Sequence, residues 1–180
     1  MRSYSPSVVA VMVAFSLGGC ATANQTPAPS PRVIATGSDG SLRTYDGPRS
    51  DQTIIEAPPA AVLAALSSAY ADLGIEVKHW NPQAGEVGNK NFTKMYRLGG
   101  KPLSEYVGCG TTTTGQAADN YRVTMSLVSH VTPAGSVSRV VTQLTAYAED
   151  LASSKGTMSC LSLGTLEARL HDLAVRHLSG

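Results

Sequence analysis

Hydrophobic and polar residues divide this chain into an apolar leader, a low-hydropathy stretch and a region of regular periodicity. In the third region Thr53 to Glu56 reads as a short strand, and Ala57-Pro58-Pro59 then opens a helix. Proline suits that position because first-turn amides have no intrahelical partner. Val62, Leu66, Ala69 and Leu73 recur at helical spacing and predict one apolar stripe, which Gly74 ends. Ile75 to Trp80 reads as the next strand, and Asn81-Pro82-Gln83-Ala84-Gly85 as a turn into Val87 to Tyr96. Tyr121, Val123, Met125 and Leu127 alternate with Arg122, Thr124 and Ser126. After a turn at Pro133-Ala134-Gly135, Val140, Thr142, Leu144 and Ala146 alternate with Gln143 and Thr145. A period of two means one buried and one wet face, as in an antiparallel sheet. A last helix starts near Gly164, with Leu166, Leu170, Leu173 and His177 on one face.

These elements predict an α+β domain over residues 51–180: a curved antiparallel sheet of four to five strands with two helices packed on one face. Before it, residues 20–50 are rich in Thr, Pro, Ser, Gly and Ala, including Thr26-Pro27-Ala28-Pro29-Ser30-Pro31. Such a composition buries too little apolar surface to offset the entropy of ordering it, and reads as an extended tether. Within it Arg32 to Ala35 and Leu42 to Tyr45 flank Gly37-Ser38-Asp39-Gly40, a turn composition able to close a small hairpin.

Residues 1–19 have the layout of an export signal, with Arg2 as the positive region and Val8 to Leu17 as the apolar core. A core of ten residues, nine of them apolar, is too short to cross a hydrocarbon layer about 30 Å thick. The stretch Leu17-Gly18-Gly19-Cys20 resembles the lipobox of bacterial lipoproteins. That resemblance implies cleavage before Cys20, a diacylglyceryl group on its thiol and, as a rule, an acyl group on its amine. It also implies attachment to the cell envelope, and Ala21 in place of Asp resembles the pattern that sends lipoproteins to the periplasmic face of the outer membrane. Two or three acyl chains hold a protein stably on a membrane, where one does so only marginally.

Charge narrows the partners. Without Arg2 the chain carries 13 basic against 13 acidic side chains, a formal charge of zero. Nucleic acid is disfavoured, since a phosphate-backbone binder needs a basic patch. Broad attraction to anionic lipid is disfavoured as well, which leaves anchoring to the acyl chains.

With Cys20 assigned to lipid, Cys109 and Cys160 remain as a pair in an exported, oxidising setting, and a disulfide is the natural reading. Two structural thiols or two metal ligands are the alternatives, the latter opposed by the lack of a close paired spacing to His79, His130, His171 or His177. The run Gly108-Cys109-Gly110-Thr111-Thr112-Thr113-Thr114-Gly115 has phosphate-loop glycines without the lysine and leads toward a strand, so it reads as a loop pinned by the disulfide. Ser162, His171 and Asp172 are the residue types of a hydrolase triad. Adjacent positions on a helix point about 100° apart, however, and no nucleophile elbow surrounds the serine. His79-Trp80 is a candidate stacking surface, with half-buried packing as the alternative.

No catalytic residue, cofactor or metal site is therefore expected. The order strand, helix, strands, helix, together with the lipoprotein leader, resembles helix-grip domains such as those of the lipoprotein C component of the outer-membrane β-barrel assembly machinery. The resemblance implies a non-catalytic module that binds an envelope protein partner. A small-ligand or lipid-binding module, using the groove between sheet and helices beside Ala64, Ala65 and Ala69, is the alternative.

Overall fold

The computed structural model describes residues 51–151 and 156–180, together with two strands, β1 (Arg32–Thr36) and β2 (Leu42–Asp46). The expected signal peptide, the expected lipidation of Cys20 and the expected extended tether outside the two strands lie outside the described residues. The expected hairpin is present: β1 and β2 pair antiparallel, Arg32 opposite Asp46 and Thr36 opposite Leu42.

The domain then runs β3 (Asp51–Ile55), α1 (Pro59–Asp72), β4 (His79–Asn81), β5 (Glu86–Met95), β6 (Arg97–Leu98), β7 (Lys101–Pro102), a 3-10 turn at Leu103–Glu105, and β8 (Val107–Gly108). It continues with β9 (Thr111–Thr112), β10 (Gly115–Gln116), α2 (Ala117–Asn120), β11 (Arg122–Ala134), β12 (Val137–Glu149), β13 (Thr157–Ser162) and α3 (Thr165–Ser179). The fold is α+β, and every strand pairing is antiparallel.

The main sheet has seven strands where four to five are expected. Its order is β4-β5-β11-β12-β13-β8, with β3 joining β12. The surplus comes from short pieces. One edge of β12 serves two partners, β3 along Ser138 to Thr142 and β13 along Ala146 to Glu149, and β8 adds two residues beside β13.

The first helix forms as its punctuation predicts. Pro58 precedes it in extended geometry, Pro59 occupies the first turn, and Gly74 at φ +70 ends it. The Ile75 amide then returns to the Tyr70 carbonyl at 2.9 Å, a Schellman-type closure with Ile75 buried beneath it. Val62, Leu66, Ala69 and Leu73 are buried as the stripe requires. After α1 the expectation of a strand from Ile75 to Trp80 is corrected. Only His79 to Asn81 is paired, because the Asn89 side-chain amide donates to the Glu76 carbonyl at 2.7 Å, where a ladder bond would otherwise lie.

On α3 the buried face is Leu166, Glu167, Leu170, His171 and Ala174, whereas His177 is exposed and meets Asp72 at 2.7 Å. Of the expected face, Leu166 and Leu170 are buried and Leu173 packs partly against the core, so only His177 is corrected. Both long helices lie on one side of the sheet. Tyr70 on α1 reaches the Ser129 hydroxyl at 3.1 Å, and His171 on α3 reaches the Thr142 hydroxyl at 2.8 Å, Ser129 and Thr142 being cross-strand partners. Val123, Met125, Leu127, Val140 and Leu144 complete the core from the sheet. Among the described residues no helix is long and apolar enough to cross a membrane.

Candidate contact site on the outer face of the sheet

The face of the sheet away from α1 and α3 carries the alternate residues of β11 and β12, with Arg139, Gln143, Thr145 and Tyr147 exposed. A shallow depression of about 290 Å³ opens there among Glu86, Lys90, Ser126, His130, Gln143 and Thr145. Val128 also lines it and is only 8% exposed, which gives the polar rim an apolar floor.

Two glycines place Glu86 at this rim. Gly85 has φ +68 and Gly88 φ +157, and a Cβ at either would overlap the backbone of β11. The segment Gly85-Glu86-Val87-Gly88 therefore lies tightly against β11, and the Val131 amide donates to the Gly85 carbonyl at 2.7 Å. Glu86 stands opposite His130 in the register and diagonally from His79. His79 Nε2 donates to Glu86 Oε2 at 2.5 Å, and His130 Nδ1 lies 3.4 Å from Oε1. The hydrogen bond from His79 holds the Glu86 carboxyl below the usual carboxylate range. Partial burial opposes it, and the nearby His130 and Lys90 charges assist. Each oxygen of Glu86 thus faces a histidine across strands β4, β5 and β11. Among the described residues no group of three or more His, Cys, Asp and Glu is disposed to hold a metal ion.

The interior between sheet and helices is also polar in part. Both ring nitrogens of His171 meet threonine hydroxyls at 2.8 Å, Thr53 at Nδ1 and Thr142 at Nε2. Thr142 continues to Ser129 at 2.8 Å and Ser129 to Tyr70, which also donates to the Leu127 carbonyl. Burial pushes the Tyr70 phenol well above its ordinary value, so it stays a neutral donor. This chain ties β3, β11, β12, α1 and α3 together from inside. Tyr70, Leu66, Leu127 and Leu170 lie between the two long helices and the sheet, and each is fully buried.

The sequence candidates fall as follows. Cys109 and Cys160 are bonded, with Cα atoms 4.2 Å apart, joining the loop after β8 to β13. The loop after Cys109 folds into the small β9–β10 hairpin, and one helical turn, α2, stands before β11 where a direct entry into the strand is expected. Ser162, His171 and Asp172 are not brought together. Ser162 donates to Glu167 Oε1 at 2.6 Å, His171 is engaged by Thr53 and Thr142, and Asp172 is exposed. Trp80 is half-exposed at the edge of the sheet. Of the three alanines expected beside the groove, Ala65 and Ala69 are buried, while Ala64 is exposed. The Glu86 cluster escapes a sequence reading because register alone joins its members. Its one local sign is the pair of glycines around Glu86-Val87. No protein-family model, curated protein or solved structure gives a significant match to this chain.

Proposed function

We propose that this chain is a lipid-anchored lipoprotein of the cell envelope, held by Cys20 at the periplasmic face of the outer membrane. Its folded domain works by binding another protein and not by catalysis. The lipobox-like Leu17-Gly18-Gly19-Cys20 supports the anchor. One observation carries the contact reading: the outer face of the sheet presents a polar-rimmed, apolar-floored depression fixed by Glu86 between two histidines. Such a surface offers donors, acceptors and a desolvated centre to a partner, which is the anatomy of a protein contact. Catalysis needs a nucleophile and base within hydrogen-bond reach, and the hydroxyls and imidazole of the interior are engaged with one another inside the core. We read the two helices on one side of the sheet as a helix-grip arrangement with its groove filled.

A photo-crosslinking amino acid placed at Thr145, on the outer face, and at Ala64, on the exposed side of α1, tests this in cells. A discrete adduct from Thr145 and none from Ala64 is expected. Free labelling from neither position, or an adduct from Ala64 alone, refutes the outer face as the contact. Alanine at Ser162 or His171 is expected to leave the cellular role intact, His171→Ala with some loss of stability. A stable, correctly localised variant as inactive as a deletion refutes the binding reading in favour of an enzymatic one.

A further inference from the structure

Five of the eight large apolar side chains that the described residues leave exposed are Met95, Tyr96, Tyr147, Leu151 and Met158, and the register places them at one end of the sheet. Met95 pairs with Arg122, Arg122 with Glu149, and Glu149 with Thr157, a single row across β5, β11, β12 and β13. Tyr96, Tyr147, Leu151 and Met158 all lie within two residues of that row. The remaining three, Ile54, Trp80 and Val175, lie elsewhere.

Tyr96 is held out on a rigid mount. It is the only residue other than glycine with positive φ, at +64, among the described residues, and it is 57% exposed. A bulky side chain in that region is strained and persists only where the surroundings impose it. Here the Leu103 amide donates to the Tyr96 carbonyl at 3.0 Å, β6 and β7 close a two-residue hairpin behind it, and Arg169 on α3 donates to the Gly99 carbonyl at 2.8 Å.

Arg122 and Glu149 pair at 2.6 Å, and Asp150 accepts from the Tyr121 hydroxyl while keeping its charge. Lys94 and Arg97, which donate to the Gly74 and Gly100 carbonyls, flank Met95 and Tyr96. Tyrosine beside Lys and Arg, with Met and Leu projecting, is the composition of a bilayer interface, where amphipathic side chains sit at the headgroups.

Chain direction identifies the occupant. β3 runs antiparallel to β12, with Asp51 opposite Thr142 and Ile55 opposite Ser138, so the tether enters the domain from the Glu149 end. From Thr142 to Glu149 is seven residues, about 24 Å of strand. From Cys20 to Arg32, and from Asp46 across to Asp51, the tether reaches about 55 Å when extended, with the hairpin closing Arg32 onto Asp46. We propose that this end of the sheet is a membrane-facing tip, in which Tyr96, Met95, Leu151 and Met158 rest in the interface of the bilayer that holds the Cys20 acyl chains. The proposal rests on the anchored reading above. The tip orients the domain without anchoring it: a formally neutral mature chain gains little from anionic lipid, and tethering supplies the local concentration that a weak apolar contact needs. The Glu86 depression then stands clear of the lipid, toward the far end of the sheet.

The test uses the full lipidated chain in phosphatidylethanolamine–phosphatidylglycerol vesicles. With Trp80→Phe as background, Tyr96→Trp, Leu151→Trp and, as far-end control, Ile54→Trp each give one reporter. Bromine-labelled lipids are expected to quench the Tyr96→Trp and Leu151→Trp reporters several-fold more than Ile54→Trp. Equal quenching at all three, on protein whose mass shows acylated Cys20, overturns the tip and leaves the anchor standing. An unacylated Cys20 overturns the anchor, and the tip with it. Protection of the tip reporters in native membranes but not in protein-free vesicles assigns this end to a protein and refutes a lipid contact. Because Leu151 lies outside the strained Tyr96 turn, its reporter decides the matter if Tyr96→Trp fails to fold.

Discussion

Gly88→Ala is a sharp test of how β5 is seated. An added Cβ would stand 2.8 Å from Val128 Cα and closer still to the Leu127 carbonyl oxygen, both backbone atoms of the central strand. No side chain can swing aside, so β5 and β11 must part. Two effects add: a non-glycine residue at φ +157 costs about 1–3 kcal/mol, and overpacking a filled site about 1–3 kcal/mol more. The sum runs over about 2–6 kcal/mol, and we expect a loss near its middle, about 3–5 kcal/mol. Gly74→Ala is the control, because φ is +70 there but nothing lies within 4 Å of its would-be Cβ. It carries the conformational strain alone, about 1 kcal/mol. For a domain of this size about 4 °C of melting temperature accompanies each kcal/mol, so calorimetry should show a drop of about 12–20 °C for Gly88→Ala and about 4 °C for Gly74→Ala. Urea titration should agree. Two variants within about 1 kcal/mol of each other would refute the tight seating of β5 on β11, and with it the reason Glu86 meets His130.

Reduction of the Cys109–Cys160 bond, which closes a loop at a sequence separation of 51, should lower the melting temperature. The chain-entropy estimate is at most about 4 kcal/mol, and alkylation without reductant followed by intact mass should find neither thiol modified. The folded-state value of Glu86 lies below its ordinary 4.5, so its contribution is present above that value and fades as pH falls through the folded one. Melting temperature should therefore decline more steeply between pH 5 and pH 3 in the wild type than in Glu86→Gln, by a modest amount since the pair is partly exposed; parallel curves would contradict it. Cys20→Ser should abolish metabolic fatty-acid labelling, and continued labelling would remove the anchor from the proposal.

Those parts of the fold that repeat over many residues are legible without coordinates. The α1 stripe is bracketed by Pro59 and Gly74, and β11 and β12 alternate for 13 residues each. Short pairings are not. β4 and β8 hold three and two residues, too few for any period to register, and the sharing of one β12 edge between β3 and β13 leaves no mark on either strand alone. Ile75 and Val77 alternate as a strand would, yet a side-chain amide from Asn89 replaces the ladder there. Polar residues in the core mislead in the other direction. Glu167 and His171 lie outside the expected apolar face of α3 and are nonetheless buried, because Ser162, Thr53 and Thr142 receive them. The outer-face cluster depends on residues 79, 86 and 130 meeting through strand register, which a single sequence does not display.

The hydrogen bond between Thr53 and His171 spans 118 positions and joins the first strand of the domain to its last helix. Closing such a separation is entropically slow, and contacts of this kind set folding rates more than stabilities. A chain delivered residue by residue has no partner for Thr53 in this network until the imidazole of His171 has emerged, so this part of the core stays open until α3 is made. The polar interior is thus closed from the far end of the sequence, by the last helix of the domain reaching back to its first strand.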